Sequence, residues 1–391
     1  MTVALGLAAG QLLAGPLLDQ EKLVAADNAF AFDLLREVSQ RQTNINVFLS
    51  PYSVSIALQL AANGAAGETR AEMEKVLHTQ GFPATLLKQS IQGLNQQFSD
   101  RKGATLSLAA GLWYQHGLHL KSGFADDNGK FFQAELSDVD FTQPDSAKTI
   151  NHWADGKTQG KATDVVQFPF PPATRMIFAS AVYFKGDWAE PFARDLTTPR
   201  DFHPRDGRVK SVPMMSRQSY FVYQQTREYQ AVQLSYNGGL QMEVFLPGTN
   251  SSPQKLLAAF AAPGSWKKDV QSGFSRHDGS VVLPKFRVEF NARLDGVLQA
   301  LGMKRAFSRE ADFSGIADEP LFINQADQRS FVEVDETGTV AAAVTTVRMT
   351  SLAEHLSSPI AFVMLVDRPF VFAISDKASG TVLFAGVIND P

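Results

Sequence analysis

A chain of 391 residues that is 44% hydrophobic and 19% charged has ordinary globular composition and length enough for two or three domains. Its net charge of −4 is spread over interspersed acidic and basic residues, with no dense basic run, which argues against a nucleic-acid or polyanion surface. With no cysteine, disulfides, thiolate metal sites, cysteine nucleophiles and lipoprotein anchoring are excluded, while the compartment stays open.

Residues 1–27 read as a lead-in. The stretch from Val3 to Leu18 carries no charge until Asp19. It is too short and too Gly-rich to span a membrane and lacks a basic n-region. It is either an atypical or remnant export signal or a packed or frayed segment. No other stretch approaches the length of a spanning helix, so the body is expected to be soluble.

The chain to about residue 165 reads mainly as helix. Asn28 is placed to cap a helix carrying Phe32, Leu35 and Val38 on one face. Ser50-Pro51 opens a second helix containing Ile56, Leu58 and Leu60, and Asn63-Gly64 ends it. Thr69 and Glu72 have the spacing of a capping box ahead of Met73, Val76 and Leu77. Leu86 to Phe98 is another helix. Beyond Arg175, six segments read as strands. They are Met176 to Phe184, Leu240 to Leu246, Val281 to Phe290, Phe331 to Val334, Pro369 to Ile374 and Val382 to Val387. Helices recur at Ser252 to Ala261 and Ala292 to Leu301. This mixture predicts an α+β fold with large sheets. No Pro/Ser/Gly-rich linker divides it, so residues 28–391 are expected to form one domain.

Motifs for catalysis are missing. There is no G-x-S-x-G elbow and no H-E-x-x-H. The seven histidines are scattered. His116 and His119 have ligand spacing, but Gly117 and the loop-like surroundings argue against a metal site. Gly156 to Lys161 (G-K-T-Q-G-K) has one residue too few for a phosphate loop, and Ala162 stands where a magnesium-binding hydroxyl is needed. Carboxylates cannot be paired by sequence. The segment from Glu333 to Thr346, E-V-D-E-T-G-T-V-A-A-A-V-T-T, stands out instead. Its small and β-branched residues suit a strand without obliging one, so it has two possible homes.

A series of motifs then converges on one family. N-V-F-L-S-P-Y-S-V-S-I-A-L (46–58), G-A-A-G-E-T (64–69), V-Y-F-K-G-D-W (182–188), F-H-P-R-D-G-R-V-K-S-V-P-M-M (202–215) and L-P-K-F (283–286) occur in that order. L-G-M (301–303), A-D-F-S-G-I (311–316), D-E-T-G-T-V-A-A-A (335–343), D-R-P-F-V-F (367–372) and L-F-A-G-V-I-N-D-P (383–391) continue it. From about Asn28 to Pro391 the chain resembles a serpin of the inhibitory, prokaryotic type. The resemblance implies three β-sheets, about nine helices and an exposed reactive-centre loop from about residue 336 to 358. It also implies that the loop baits a serine, or in some cases a cysteine, protease. An acyl-enzyme forms, and the loop inserts into the central sheet, carrying the protease with it.

The same resemblance assigns residues. The hinge comprises Glu336, Gly338, Thr339, Val340, Ala341, Ala342 and Ala343. Thr339, Ala341, Ala343, Thr345 and Val347 form the inward set, small or β-branched throughout, so insertion does not overpack the sheet. Counting Glu336 as first, the seventeenth residue is Leu352, which places the scissile bond at Leu352-Ala353. Leucine suits chymotrypsin-, elastase- or subtilisin-like pockets. Arg348 is only thirteenth, and the long segment before Arg368 leaves Leu356 open. Lys285 and Glu336 match a pair at the top of the central sheet. Ser50, Ser53, Ser180 and Gln328 match the gate at its centre. There the family usually has Asn in place of Ser180, His in place of Gln328, and Asn in place of Ala110. Val340 replaces a commonly acidic hinge residue, and Val344 is bulkier than usual.

The resemblance implies no cofactor, no metal and no catalytic residue. Only Lys88, Arg101 and Lys102 lie near the heparin-helix counterpart, so heparin binding is not expected. The expected protein is a monomer whose partner is a target serine protease, with no membrane association. Its expected site is extracellular or the cell envelope, with the cytoplasm as the other option. The alternative function is a non-inhibitory serpin acting in binding, storage or as a chaperone.

Overall fold

The computed structural model of the protein describes residues 8–99, 103–161, 165–262, 264–339 and 361–391. The chain opens with α1 (Ala8–Arg41), β1 (Val47–Leu49), α2 (Pro51–Asn63), α3 (Gly67–Val76) and α4 (Ala84–Ser99). Next come β2 (Ala104–Gln115), α5 (Ser122–Asp127), β3 (Glu135–Val139), α6 (Pro144–Lys157) and β4 (Met176–Asp187). The strands β5 (Thr198–Phe202), β6 (Lys210–Gln225), β7 (Tyr229–Ser235) and β8 (Leu240–Pro247) lead to α7 (Pro253–Phe260). Then follow β9 (Ser275–Pro284), β10 (Phe286–Arg293), α8 (Asp295–Leu301), β11 (Ala326–Val334) and β12 (Gly338–Thr339). The chain closes with β13 (Phe362–Leu365), β14 (Phe370–Asp376) and β15 (Val382–Ile388). This is the expected α+β class.

Among the described residues the strands form two hydrogen-bonded sheets. The resemblance implies three. The difference lies in β6, which runs unbroken for 16 residues and fuses two of them. Its first part pairs β5, its middle pairs β9, and its last residues pair β7. The resulting surface has nine strands, in the order β1-β15-β14-β8-β7-β6-β9-β13 with β5 beside β6. The other sheet has the order β10-β11-β12-β4-β2-β3. One face of it covers the main core and α2. On the other face, Trp113, Ile177, Ala179 and Ala181 pack against Ile150 and Ala154 of α6 in a second, smaller core.

Several local expectations are corrected. Asn28 is no cap, because α1 runs through it. Its side chain is buried and clamps the distant β14–β15 turn, donating to Gly380 O at 2.9 Å and accepting from Val382 N at 2.8 Å. Thr69 and Glu72 do not cap α3, which starts at Gly67. Glu72 instead accepts the Lys304 and Arg305 N–H groups at 2.8 and 2.7 Å, closing the start of a remote 3-10 turn. The Val281 to Phe290 run is two strands in two sheets, because Pro284 ends β9 and the chain turns at Lys285 into β10. The stretch before residue 165 is mainly helical as expected, but it also holds the strands β2 and β3, joined in parallel. Gly156 to Lys161 ends α6 in a turn, with Gly160 at φ 79°. No described helix is long and apolar enough to cross a membrane.

Candidate functional site

The central feature of the six-stranded sheet is incomplete closure. β11 and β4 run parallel and pair only from Ala326↔Phe178 to Arg329↔Ala181. Beyond Arg329 they part, and at the far end the two residues of β12 occupy the gap. Gly338 lies opposite Asp187, and Thr339 lies between Gly186 of β4 and Val334 of β11. The sheet is therefore closed at its middle and wedged open at one end.

The closure is held by side chains from α2, β4 and β11. Gln328 is fully buried on β11 and faces Ser180 across the pairing. Its Oε1 accepts the Ser50 N–H at 3.0 Å, and its Nε2 donates to Ser50 O and Ser53 Oγ, both at 2.9 Å. Ser53 Oγ stands 3.1 Å from Ser180 Oγ and 3.1 Å from Ser50 O. Ser50 does not cap α2 with its hydroxyl, which donates to Leu383 O at 2.9 Å. The N–H at the start of α2 is met by Gln328 instead. Ser50, Ser53, Ser180 and Gln328 thus form one network. The longer amide at 328 spans a gap that the shorter hydroxyl at 180 leaves.

The wedge is anchored as fully. Lys285 Nζ donates to Glu336 Oε2 at 2.8 Å, and Thr197 Oγ1 donates to Glu336 Oε1 at 2.8 Å. Burial pushes the Glu336 carboxyl up, but these two donors and the Lys285 charge outweigh it and hold it below the usual carboxylate range. Asp335 Oδ1 accepts from Thr337 N, Thr337 Oγ1 and Gly338 N, tightening the turn. Trp188 Nε1 donates to Asp335 O at 2.9 Å, and the Trp188 and Phe192 amides donate to the carbonyls of Thr337 and Glu336. Thr339 is fully buried, with its hydroxyl 2.6 Å from the Tyr236 hydroxyl. A Cβ at Gly338 would meet the Gly186 carbonyl oxygen and stand 2.8 Å from Asp187 Cα, so only glycine lets the backbone approach β4 this closely.

Val340, Ala341, Ala342, Ala343, Leu352 and Ala353 lie outside the described residues, as do Val344, Thr345, Val347, Arg348, Leu356, Arg101 and Lys102. Lys88 is engaged with Asp127 at 2.8 Å. His116 sits at the surface, 2.7 Å from Asp138. Three residues that sequence reasoning left without a role complete the anchor: Thr197, Trp188 and Tyr236. Trp188 ends the V-Y-F-K-G-D-W motif and could have been singled out there. Tyr236 stacks on Trp188 with ring centroids 4.3 Å apart, a contact that only the fold creates.

A family model described as Serpin (serine protease inhibitor) matches residues 25–391. The chain belongs to the serpin family. A serpin-like protein of Thermococcus kodakarensis is 35% identical over 95% of this chain and 87% of its own length. The leukocyte elastase inhibitor of Bos taurus is 31% identical over 95% of this chain and 100% of its own. The crystal structure of Serpin48, a highly specific serpin of the insect Tenebrio molitor, superposes with a TM-score of 0.82 at 29% identity. It covers 95% of this chain and 98% of that one. Serpins are in the main protease inhibitors rather than enzymes.

Proposed function

We propose that this serpin is an irreversible suicide-substrate inhibitor of serine proteases with chymotrypsin-, elastase- or subtilisin-like specificity. The observation that carries the reading is the position of β12. Antiparallel pairing means that each further step along the loop retreats one residue along both β4 and β11. Six residues past Thr339 is Thr345, and six before Gly186 and Val334 are Ser180 and Gln328. Both neighbours therefore converge on the gate pair, so continued insertion in this register replaces the Ser180–Gln328 contact with the Thr345 side chain. Val347 would follow opposite Phe178, and the small residues Ala341 and Ala343 would pass before it.

In this mechanism the protease serine attacks the Leu352 carbonyl and forms an ester, and the amine of Ala353 leaves. The freed loop then extends β12 down the sheet. About a dozen new ladder bonds at roughly 1 kcal/mol net each would supply on the order of 10 kcal/mol, comparable to the stability of a whole domain. That is enough to drag and distort an attached enzyme before water completes the hydrolysis. The proposed partner is accordingly the protease itself, held covalently by a monomeric inhibitor.

The test is incubation with chymotrypsin, pancreatic elastase and subtilisin, followed by denaturing gels and intact-mass analysis. The expected result is a one-to-one adduct that survives boiling in SDS, with a released peptide beginning at Ala353. Clean cleavage by every protease with no adduct would replace this reading with the non-inhibitory one.

A further inference from the structure

The inward row of β6 reads Met215, Arg217, Ser219, Phe221 and Tyr223, and Arg217 is its one charged residue. The guanidinium lies between two rings, with its carbon 4.9 Å from the Phe192 centroid and 4.8 Å from that of Phe221. Burial pushes it down to about 10, against the charge of Glu190, so it stays a cation at neutral pH. Its Nε is buried and has no partner among the described residues. A buried N–H without a partner is costly, so packing alone does not account for an arginine here.

What the cation holds is the strap of residues 188–192. Arg217 donates to the Glu190 carbonyl in the strap and covers the ring of Phe192 at its end. Ser219, next in the same row, donates to Glu190 Oε2 at 3.1 Å. The strap in turn gives three N–H groups to three successive carbonyls of the hinge turn. Trp188 Nε1 donates to Asp335 O, the Phe192 amide to Glu336 O and the Trp188 amide to Thr337 O. The strap thus stands between β6 and the turn that leads into β12.

We infer that Arg217 is a positioning residue for loop insertion, fixing the strap so that the cut loop enters the sheet from one defined start at β12. This rests on the inhibitory reading. Insertion competes with hydrolysis of the acyl-enzyme, and the faster step decides between trapped protease and cleaved inhibitor. Each later ladder bond between β4 and β11 is laid down in the register that Gly338 and Thr339 set. A strap free to shift lets the turn at 335–337 shift with it, and the first steps of insertion lose their alignment. A guanidinium suits this task because one planar group covers an aromatic face and still donates to a carbonyl beyond it.

Arg217→Met keeps the apolar stem and removes the cation and the donor, whereas Arg217→Lys keeps the cation. Phe192→Leu removes the ring and leaves the backbone N–H in place, which serves if Arg217→Met does not fold. Two quantities are read. In the uncut protein, hydrogen exchange by mass spectrometry reports on the amides of residues 188–192. With the protease that forms the adduct, the second is the number of inhibitor molecules consumed per enzyme inactivated. That number does not depend on how fast the loop is attacked. We expect exchange at residues 188–192 to be about tenfold faster in Arg217→Met, beyond any change in the rest of the molecule. The number consumed should rise about threefold or more. Arg217→Lys should restore most of both, and Phe192→Leu should move both in the direction of Arg217→Met. A lower urea midpoint with strap exchange in step with other strands and the number consumed unchanged would overturn the inference. So would Arg217→Lys behaving like Arg217→Met. If the parent forms no adduct with chymotrypsin, elastase or subtilisin, the inhibitory reading falls and the role in insertion with it, but exchange still judges whether Arg217 holds the strap.

Discussion

Two kinds of carboxyl in this molecule respond to pH in opposite senses. Glu336 is held below the usual range by Lys285 and Thr197 against the effect of burial. Its contribution is therefore present above about pH 4.3, where the unfolded chain ionises, and is lost as pH falls through the lower folded value. Removing the ammonium with Lys285→Ala leaves a nearly buried carboxylate with Thr197 as its side-chain donor. It should lower the unfolding free energy read from urea melts by about 1–3 kcal/mol at neutral pH and weaken that acid sensitivity. Asp27 and Glu243 behave the other way. Burial pushes both up to about 7, against hydrogen bonds from Ser55 and Gln59 to Asp27 and from Ser375 and Gln241 to Glu243. The folded state keeps these protons to about pH 7, while the unfolded chain releases them near pH 4. Stability from this source falls as pH rises through that window and is level above it. Asp27 Oδ2 and Gln59 Oε1 are both buried oxygens without a hydrogen-bond partner. Asp27→Asn should match the parent near pH 4 and exceed it by about 2–4 kcal/mol at pH 8, read from urea melts across that range.

At the level of elements, the gate decides how readily β4 and β11 separate. Gln328→Ala removes the partner of both the N–H and the carbonyl of buried Ser50. We expect a loss of about 1–3 kcal/mol and faster conversion to inserted or polymeric forms on mild heating, measured by urea melts and size-exclusion chromatography. The gate and the Lys285–Glu336 pair are named through the family resemblance, with Ser50, Ser53, Lys285 and Glu336 inside its motifs and Ser180 and Gln328 outside them, and the structure brings the named atoms within hydrogen-bond reach. The strands were less legible. In β2 the alternation of Leu106, Leu108 and Leu112 is a period-two signal, but Ala109-Ala110-Gly111 dilutes it, so a strand half-buried along most of its length passed for part of a helical region. In Thr69 and Glu72 the capping-box spacing was genuine, yet both side chains serve segments more than two hundred residues away. Local propensity cannot reveal a cap given to another element. Likewise the strand-like character on both sides of Pro284 hid the sheet change there, because Val281 to Leu283 is apolar and Phe286, Val288 and Phe290 of β10 alternate with exposed charged residues.

Across the whole molecule, the proposed driving force is the unfilled gap between β4 and β11. Cutting the loop between residues 340 and 360 should raise the melting temperature sharply, by calorimetry, if the freed strand enters that gap. Thr345→Arg would force a charge into the position opposite Ser180 and Gln328. It should leave the rate of loop cleavage unchanged and turn the inhibitor into a substrate, so that adduct disappears and cleaved protein accumulates. The Asn28 clamp has a consequence for biosynthesis. Gly380 and Val382 are made 352 and 354 residues after Asn28. Among the described residues β1 has its one strand partner in β15, and Asn46 bonds Asn389 and Asp390. Until these late partners have been made and have left the exit tunnel, the nine-stranded sheet stays unsealed. A stop codon that removes β15 would therefore remove the seal for the whole fold, and the truncated product should be found in the degradation pathway and not as folded protein.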